Sequence, residues 1–169
     1  MTFPKLFRLK QDLEGPRVVD IRAAVHDAMR SLGLQNRVTP GQCVAITAGS
    51  RGIANIRGIT RAVVDEMKSL ELRPFIVPAM GSHGGATAEG LRELLAEYGI
   101  TEESIGVPVI SSMDVVEIGT SDDGVPVYCD KEAYNSDGIV VCNRVKPHTD
   151  YRGPHESGLL KMMAIGLGK

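Results

Sequence analysis

Three short apolar runs, each breaking into a loop of small or polar residues, constrain this chain most. They are QCVAITAG at 42–49, PFIVPAM at 74–80 and GIVVCNRV at 138–145. Runs of this length, rich in β-branched residues and bounded by loop signals, read as strands of a buried sheet. Between the first two, Ile56, Ile59, Val63, Met67 and Leu70 recur at helical spacing. After the second, Leu91, Leu94, Leu95 and Tyr98 do the same, with Thr87 placed as an N-cap. Strand–helix–strand–helix–strand alternation predicts an α/β fold with a Rossmann-like, mostly parallel open sheet. GIVVCNRV, apolar on both faces, is expected at the centre of that sheet.

Other segments fit around this frame. VPVIS (107–111), DVVEIGT (114–120) and VPVYCD (125–130) read as further strands, and SDDG (121–124) between the last two marks an inserted antiparallel hairpin. KEAYNSD reads as one helical turn. An earlier helix carries Ile21, Val25, Ala28 and Leu32 on one stripe, with a half-exposed His26 beside it. At 169 residues the chain is long enough for one domain with a core and too short for two ordinary ones, so residues 1–169 are expected to form a single α/β domain.

Composition narrows the function classes. A net charge of −2 and 4% aromatic residues without tryptophan argue against a nucleic-acid surface, which needs basic patches or stacking platforms. The opening MTFPKLFRLK lacks the apolar core of a signal peptide, and no stretch approaches the roughly eighteen apolar residues of a membrane span. Cys43, Cys129 and Cys142 form no CxxC pair and lie in or beside apolar runs, as buried reduced thiols do. The expectation is a soluble, cytoplasmic protein that binds neither nucleic acid nor membrane.

Ligands of open α/β sheets bind outside the carboxyl ends of the strands. The loops at those ends here are SRG (50–52), GSHGGAT (81–87) and RVKPHTDYRG (144–153). They hold Arg51, His83, Arg144, Lys146, His148 and Arg152 among small residues, which describes an anion-binding cleft. His83 and His148, on neighbouring strand ends, are candidate acid/base groups, because imidazole accepts and returns protons near neutral pH. The glycines flanking His83 would leave room for a flat or small ligand. Arg51 can clamp a carboxylate with two parallel hydrogen bonds.

Lys161 stands among Leu159, Leu160, Met162 and Met163 in ESGLLKMMAIGLG. It either snorkels to solvent or, partly buried, loses proton affinity and becomes a candidate for covalent chemistry. No GxGxxG follows a strand, and a GxxxxGK loop would need glycine where Met163 sits, so the usual nucleotide fingerprints are missing. His148, Asp150 and His155 invite a metal reading, but their spacing matches no specific ligand pattern. No residue is assigned as a metal ligand.

The ordered set SR (50–51), GSH (81–83), KPH (146–148) and SGLLK (157–161) resembles the amino-terminal domain of the nickel-dependent lactate racemase family. The resemblance implies that Lys161 tethers a nickel pincer nucleotide, with Ser157 and Gly158 forming the turn before it. It implies acid/base roles for His83 and His148 and a carboxylate anchor made by Arg51 with Ser50. In that family a histidine removes the hydroxyl proton of a 2-hydroxy acid while hydride passes to the cofactor, and return to the other face inverts the centre. This chain has Ala48 where the pattern has an acidic residue and Leu159 where it has a second glycine. It also has a longer interval between His148 and Lys161, so a larger or more acidic 2-hydroxy acid than lactate is an equal expectation. The family's nickel-ligating histidine and the carboxy-terminal domain that closes over substrate lie beyond Lys161. The sequence therefore reads as a domain-sized part of a racemase or epimerase. The alternatives are a non-catalytic phosphate- or carboxylate-binding α/β domain and, last, metal-assisted hydrolysis through His148, Asp150 and His155.

Overall fold

The structure is a computed structural model that describes residues 6–12, 15–49, 52–148, 150 and 152–169. Ser50 and Arg51 lie outside the described residues. Three parallel strands form the main sheet: β1 (Cys43–Ala48), β2 (Arg73–Pro78) and β5 (Gly138–Val140), in the order β2-β1-β5. In the β1–β2 register, Val44 faces Pro74 and Ile46 faces Ile76. The alternation of strand side chains divides the interior into two layers. Val44, Ile46 and Ile76 point to the layer holding helix α2 (Ile56–Ser69), helix α3 (Ala88–Glu97) and the short α4 (Glu102–Ile105). Ala45, Phe75 and Val77 point to the layer holding Cys129, Ala133, Met162 and Leu167. Each large apolar side chain enclosed this way contributes about 1.5–3 kcal/mol.

The α/β expectation holds, with an open parallel sheet and a separate antiparallel pair. That pair is β3 (Val115–Thr120) and β4 (Pro126–Asp130), joined through the turn in which Gly124 N donates to Ser121 O at 2.9 Å. Its register slips between Glu117 and Gly119, as at a β-bulge. Asp130 then caps α5 (Lys131–Tyr134), its Oδ1 accepting from Ala133 N at 2.8 Å.

Two strand assignments need correction. GIVVCNRV supplies an edge strand of three residues, and β1 takes the centre. The ladder stops because Cys142 N donates to the Thr47 hydroxyl at 3.0 Å, a side-chain acceptor in place of a strand carbonyl. VPVIS contributes only an isolated parallel bridge, Val109 to Ile76.

The first helix, α1 (Ile21–Ser31), forms where its periodicity predicts, yet none of its residues is buried. It lies on α2 through Arg22–Asp65 and through His26 Nδ1 beside Glu66 at 3.0 Å. Exposed pairs of this kind contribute little each. Of the cysteines, Cys129 is buried while Cys43 and Cys142 are partly exposed, and all three are free thiols. Among the described residues no helix is long and apolar enough to cross a membrane.

Candidate functional site

The carboxyl ends of all three parallel strands open into one cleft of about 290 Å³. Gly49 enters from β1, Ala79, Met80 and His83 from β2, and Asn143, Arg144 and Lys146 from the end of β5. The last wall is the segment Ser157–Gly166, including Lys161. Among the described residues no aspartate or glutamate lines this cleft, so its field favours an anion.

His83 is half-buried and opens the tight turn Gly84–Ala86. Its Nδ1 bonds the carbonyl oxygen of Met80. A carbonyl can only accept, so Nδ1 carries the proton and the neutral ring presents a lone pair at Nε2. The glycines around it have a packing role. Gly84 adopts φ +59°, and a Cβ there would lie 2.4 Å from the carbonyl carbon of Gly90 in the first turn of α3. The loop thus lies against the helix that Thr87 caps, its hydroxyl accepting from Gly90 N at 3.0 Å. Close backbone packing, more than an open ligand path, explains the bare sequence beside His83.

Lys161 ends a single α-helical turn, α6 (Leu159–Lys161), that continues as a π-helix over Met162–Leu167. Wide turns of this kind recur at functional sites. Lys161 is exposed, its side chain lining the cleft rather than enclosed by its apolar neighbours. The turn is seated by Asn143, whose Nδ2 donates to Gly158 O at 3.1 Å. Gly158 is buried with φ +132°, against Val145. Farther along, the Lys169 ammonium pairs with the Asp130 carboxylate, both side chains almost wholly buried. That pair ties the end of the π-helix to the hairpin.

His148 is half-buried and not among the residues lining the cleft. It stands on the loop whose two ends, Lys146 and Ser157, both line the cleft and bridge to each other. Its Nδ1 accepts from Asp150 N at 3.1 Å, which puts the proton of the neutral ring on Nε2, the opposite tautomer to His83. Glu156 accepts from His148 N at 2.8 Å and Gly153 N at 3.3 Å. The hydrogen bond from His148 is the chief reason its carboxyl is held below the usual range. Burial pushes the Cys142 thiol up. The Cys129 thiol is raised by burial and then by the Asp130 charge, with Lys169 opposing.

His83, Lys161 and Ser157 therefore share one cleft, with Gly158 just behind it and Arg144 and Lys146 on its rim. Asn143 and Glu156 escaped the sequence reading. A lone amide at the end of an apolar strand was the available signal for Asn143. Glu156 acts through loop contacts that leave no pattern.

The profile of the lactate racemase N-terminal domain family matches residues 9–153. The chain belongs to that family. The matched span takes in the sheet, the His83 loop and His148. Lactate racemases are nickel-dependent, which raises the question of whether these residues suit such a cofactor. No curated protein and no solved structure gives a significant match. Among the described residues no three His, Cys, Asp or Glu side chains converge as a metal-ligating group, and His148, Asp150 and His155 do not form one. The lactate racemase domain instead offers an amine, a guanidinium, a second ammonium, an amide, a hydroxyl and an imidazole around one cleft. That donor set fits an anionic organic group carrying its own metal ligands better than it fits a bare cation.

Proposed function

We propose that this domain is the cofactor-bearing half of a racemase or epimerase acting on 2-hydroxy acids. The observation that carries the reading is that His83 and Lys161 line one acid-free cleft at the carboxyl ends of the sheet, in a chain of the lactate racemase N-terminal domain family. Lys161 is the attachment point for a nickel pincer nucleotide, seated by the Ser157–Gly158 turn. Held there, that group would supply hydride-acceptor chemistry next to the substrate's α-carbon.

The chain's own residues do the rest. His83, with Nδ1 committed to Met80, takes the substrate's hydroxyl proton at Nε2. His148, which presents an Nε2–H rather than a lone pair, assists at the opposite face by donating a hydrogen bond from Nε2 to the substrate oxygen. Arg144 and Lys146 draw the substrate carboxylate toward the rim. Ser50 and Arg51, the assigned carboxylate anchor, lie outside the described residues and keep that role from the sequence pattern. Ser157, Gly158 and Lys161 fall beyond the matched span, so their roles rest on the SGLLK pattern and on the cleft. A second domain of the parent protein closes over the substrate in this reading, and the reaction runs in the cytoplasm.

The test is interconversion of 2-hydroxy acid enantiomers, followed by chiral chromatography. The protein is produced together with the enzymes that make the cofactor, and a His83→Gln variant is run beside it. Enantiomer exchange by the parent and its loss in the variant support the proposal. The acid-free cationic cleft also suits a non-catalytic phosphate- or carboxylate-binding domain, and saturable carboxylate binding without exchange would favour that reading.

A further inference from the structure

Asp150, Arg152 and Glu156 hold His148 through its backbone N–H, its carbonyl and its ring. Its backbone N–H donates to Glu156 Oε2 at 2.8 Å. Its carbonyl oxygen accepts from Arg152 Nη1 at 3.3 Å, and that same guanidinium nitrogen lies 3.4 Å from Glu156 Oε2. Its ring Nδ1 accepts from Asp150 N. The second oxygen of Glu156 accepts from Gly153 N, closing the loop on itself. Glu156 is mostly enclosed, with 17% of its side chain exposed, and it precedes Ser157, which bridges to Lys146 and closes the loop at the cleft.

We propose that Glu156 is a positioning residue for His148: its carboxylate pins the backbone of the loop so that Asp150 N–H meets Nδ1 and the ring proton is held on Nε2. The inference rests on the reading of His148 as an acid/base group, but it concerns which nitrogen that group uses. Without the Glu156 anchor, the His148 N–H loses its carboxylate acceptor and Arg152 loses the carboxylate that holds it against the His148 carbonyl. Asp150 N–H then no longer meets the ring at a fixed angle, and the two neutral tautomers become comparable. A carboxylate suits the task because it accepts from several donors at once, and charge-assisted bonds to it are stronger than those of a neutral amide.

The test is nitrogen-resolved NMR of the His148 ring, at a pH where the ring is neutral, together with hydrogen exchange of the His148 amide. The full chain is compared with Glu156→Ala and Glu156→Gln. The parent is expected to show a protonated Nε2 and an unprotonated Nδ1. In Glu156→Ala the two nitrogen shifts move toward each other, and the His148 amide exchanges about tenfold faster, the ratio one such hydrogen bond sustains. In Glu156→Gln, which keeps one acceptor oxygen, both changes have the same direction and are smaller. The His83 nitrogens stay where they were. A His148 ring and amide that match the parent in both variants overturn the inference, and so does a parent whose proton sits on Nδ1. Should Glu156→Ala fail to fold, the amide exchange of Glu156→Gln decides. Loss of the racemase reading alone, with no enantiomer exchange by loaded protein, leaves these NMR outcomes intact, so the two failures are separable.

Discussion

Asn143 Nδ2 donates to the carbonyl oxygen of Gly158 at 3.1 Å, joining the end of the β5 segment to the turn that introduces Lys161. The same side chain accepts from Arg144 N at 2.9 Å through Oδ1. One amide thus sets both the lysine's turn and the first residue of the cationic rim. Asn143→Ala leaves a partly buried carbonyl and a backbone N–H without this partner, which costs about 1–3 kcal/mol. For a chain of this size the thermal midpoint should fall by roughly 2–4 °C per kcal/mol, measured by calorimetry. An unchanged midpoint would show the contact to be incidental.

Gly84→Ala probes the packing account of the His83 loop. A Cβ there would sit 2.4 Å from Gly90 C and 2.5 Å from Gly90 O, on a backbone with φ +59°. Overpacking and left-handed strain together should cost at least about 1–3 kcal/mol, read from denaturant unfolding. Gly85→Ala differs, since its added Cβ meets nothing within 4 Å and the loss is confined to its φ of +68°. Equal stability losses at the two positions would contradict the loop–helix contact.

Lys169 and Asp130 offer a buried-charge test. Their side chains are 2% and 1% exposed, and removing one partner of such a pair typically costs about 3–5 kcal/mol. Lys169→Met strands the Asp130 carboxylate beside Cys129. The double change with Asp130→Asn should recover part of the loss, although the cap on α5 is weakened by it. A double-mutant cycle with no coupling would remove the pair from the account.

Acid should loosen the loop around His148 before it unfolds the sheet. The Glu156 carboxyl is held below its ordinary value of 4.5. A depressed carboxyl contributes stability that is present above the unfolded value and is lost as pH falls through the folded one. Amide exchange at His148 and Gly153, referenced to each pH's intrinsic rate, should therefore be protected at neutral pH. Protection should vanish below that range while β1 amides remain protected. Simultaneous loss in both places would argue against Glu156 as the loop's acid-sensitive contact.

Thiol chemistry checks the inner layer. Burial pushes the Cys142 and Cys129 thiols up, so less thiolate is present at neutral pH than in a free cysteine. Both should alkylate with iodoacetamide more slowly than Cys43, as peptide mass mapping over time would show. Faster labelling at Cys129 than at Cys43 would contradict its burial on β4 against the main sheet.

Much of this fold was legible in the chain, because β-branched runs and 3.6-residue stripes are local records of burial. QCVAITAG, PFIVPAM, α2, α3 and the SDDG hairpin all stand where those records put them. The misreadings came where a side chain displaced a regular partner. GIVVCNRV reads as a central strand by composition, but the Thr47 hydroxyl takes the Cys142 N–H and ends the ladder early. VPVIS has a strand's composition yet keeps a single bridge to Ile76. The cleft was legible as a set of strand-end cations and histidines. Its stitching by Asn143, the Met80 carbonyl on His83, and the Glu156 anchor was not, since contacts across distant loops carry no period.

The most direct test of the central claim is the mass of the Lys161 peptide from protein produced with the cofactor-making enzymes and shown to interconvert 2-hydroxy acid enantiomers. The account predicts an adduct on Lys161 that contains nickel and sulfur, absent from protein made without those enzymes. An active preparation whose Lys161 is unmodified would contradict it.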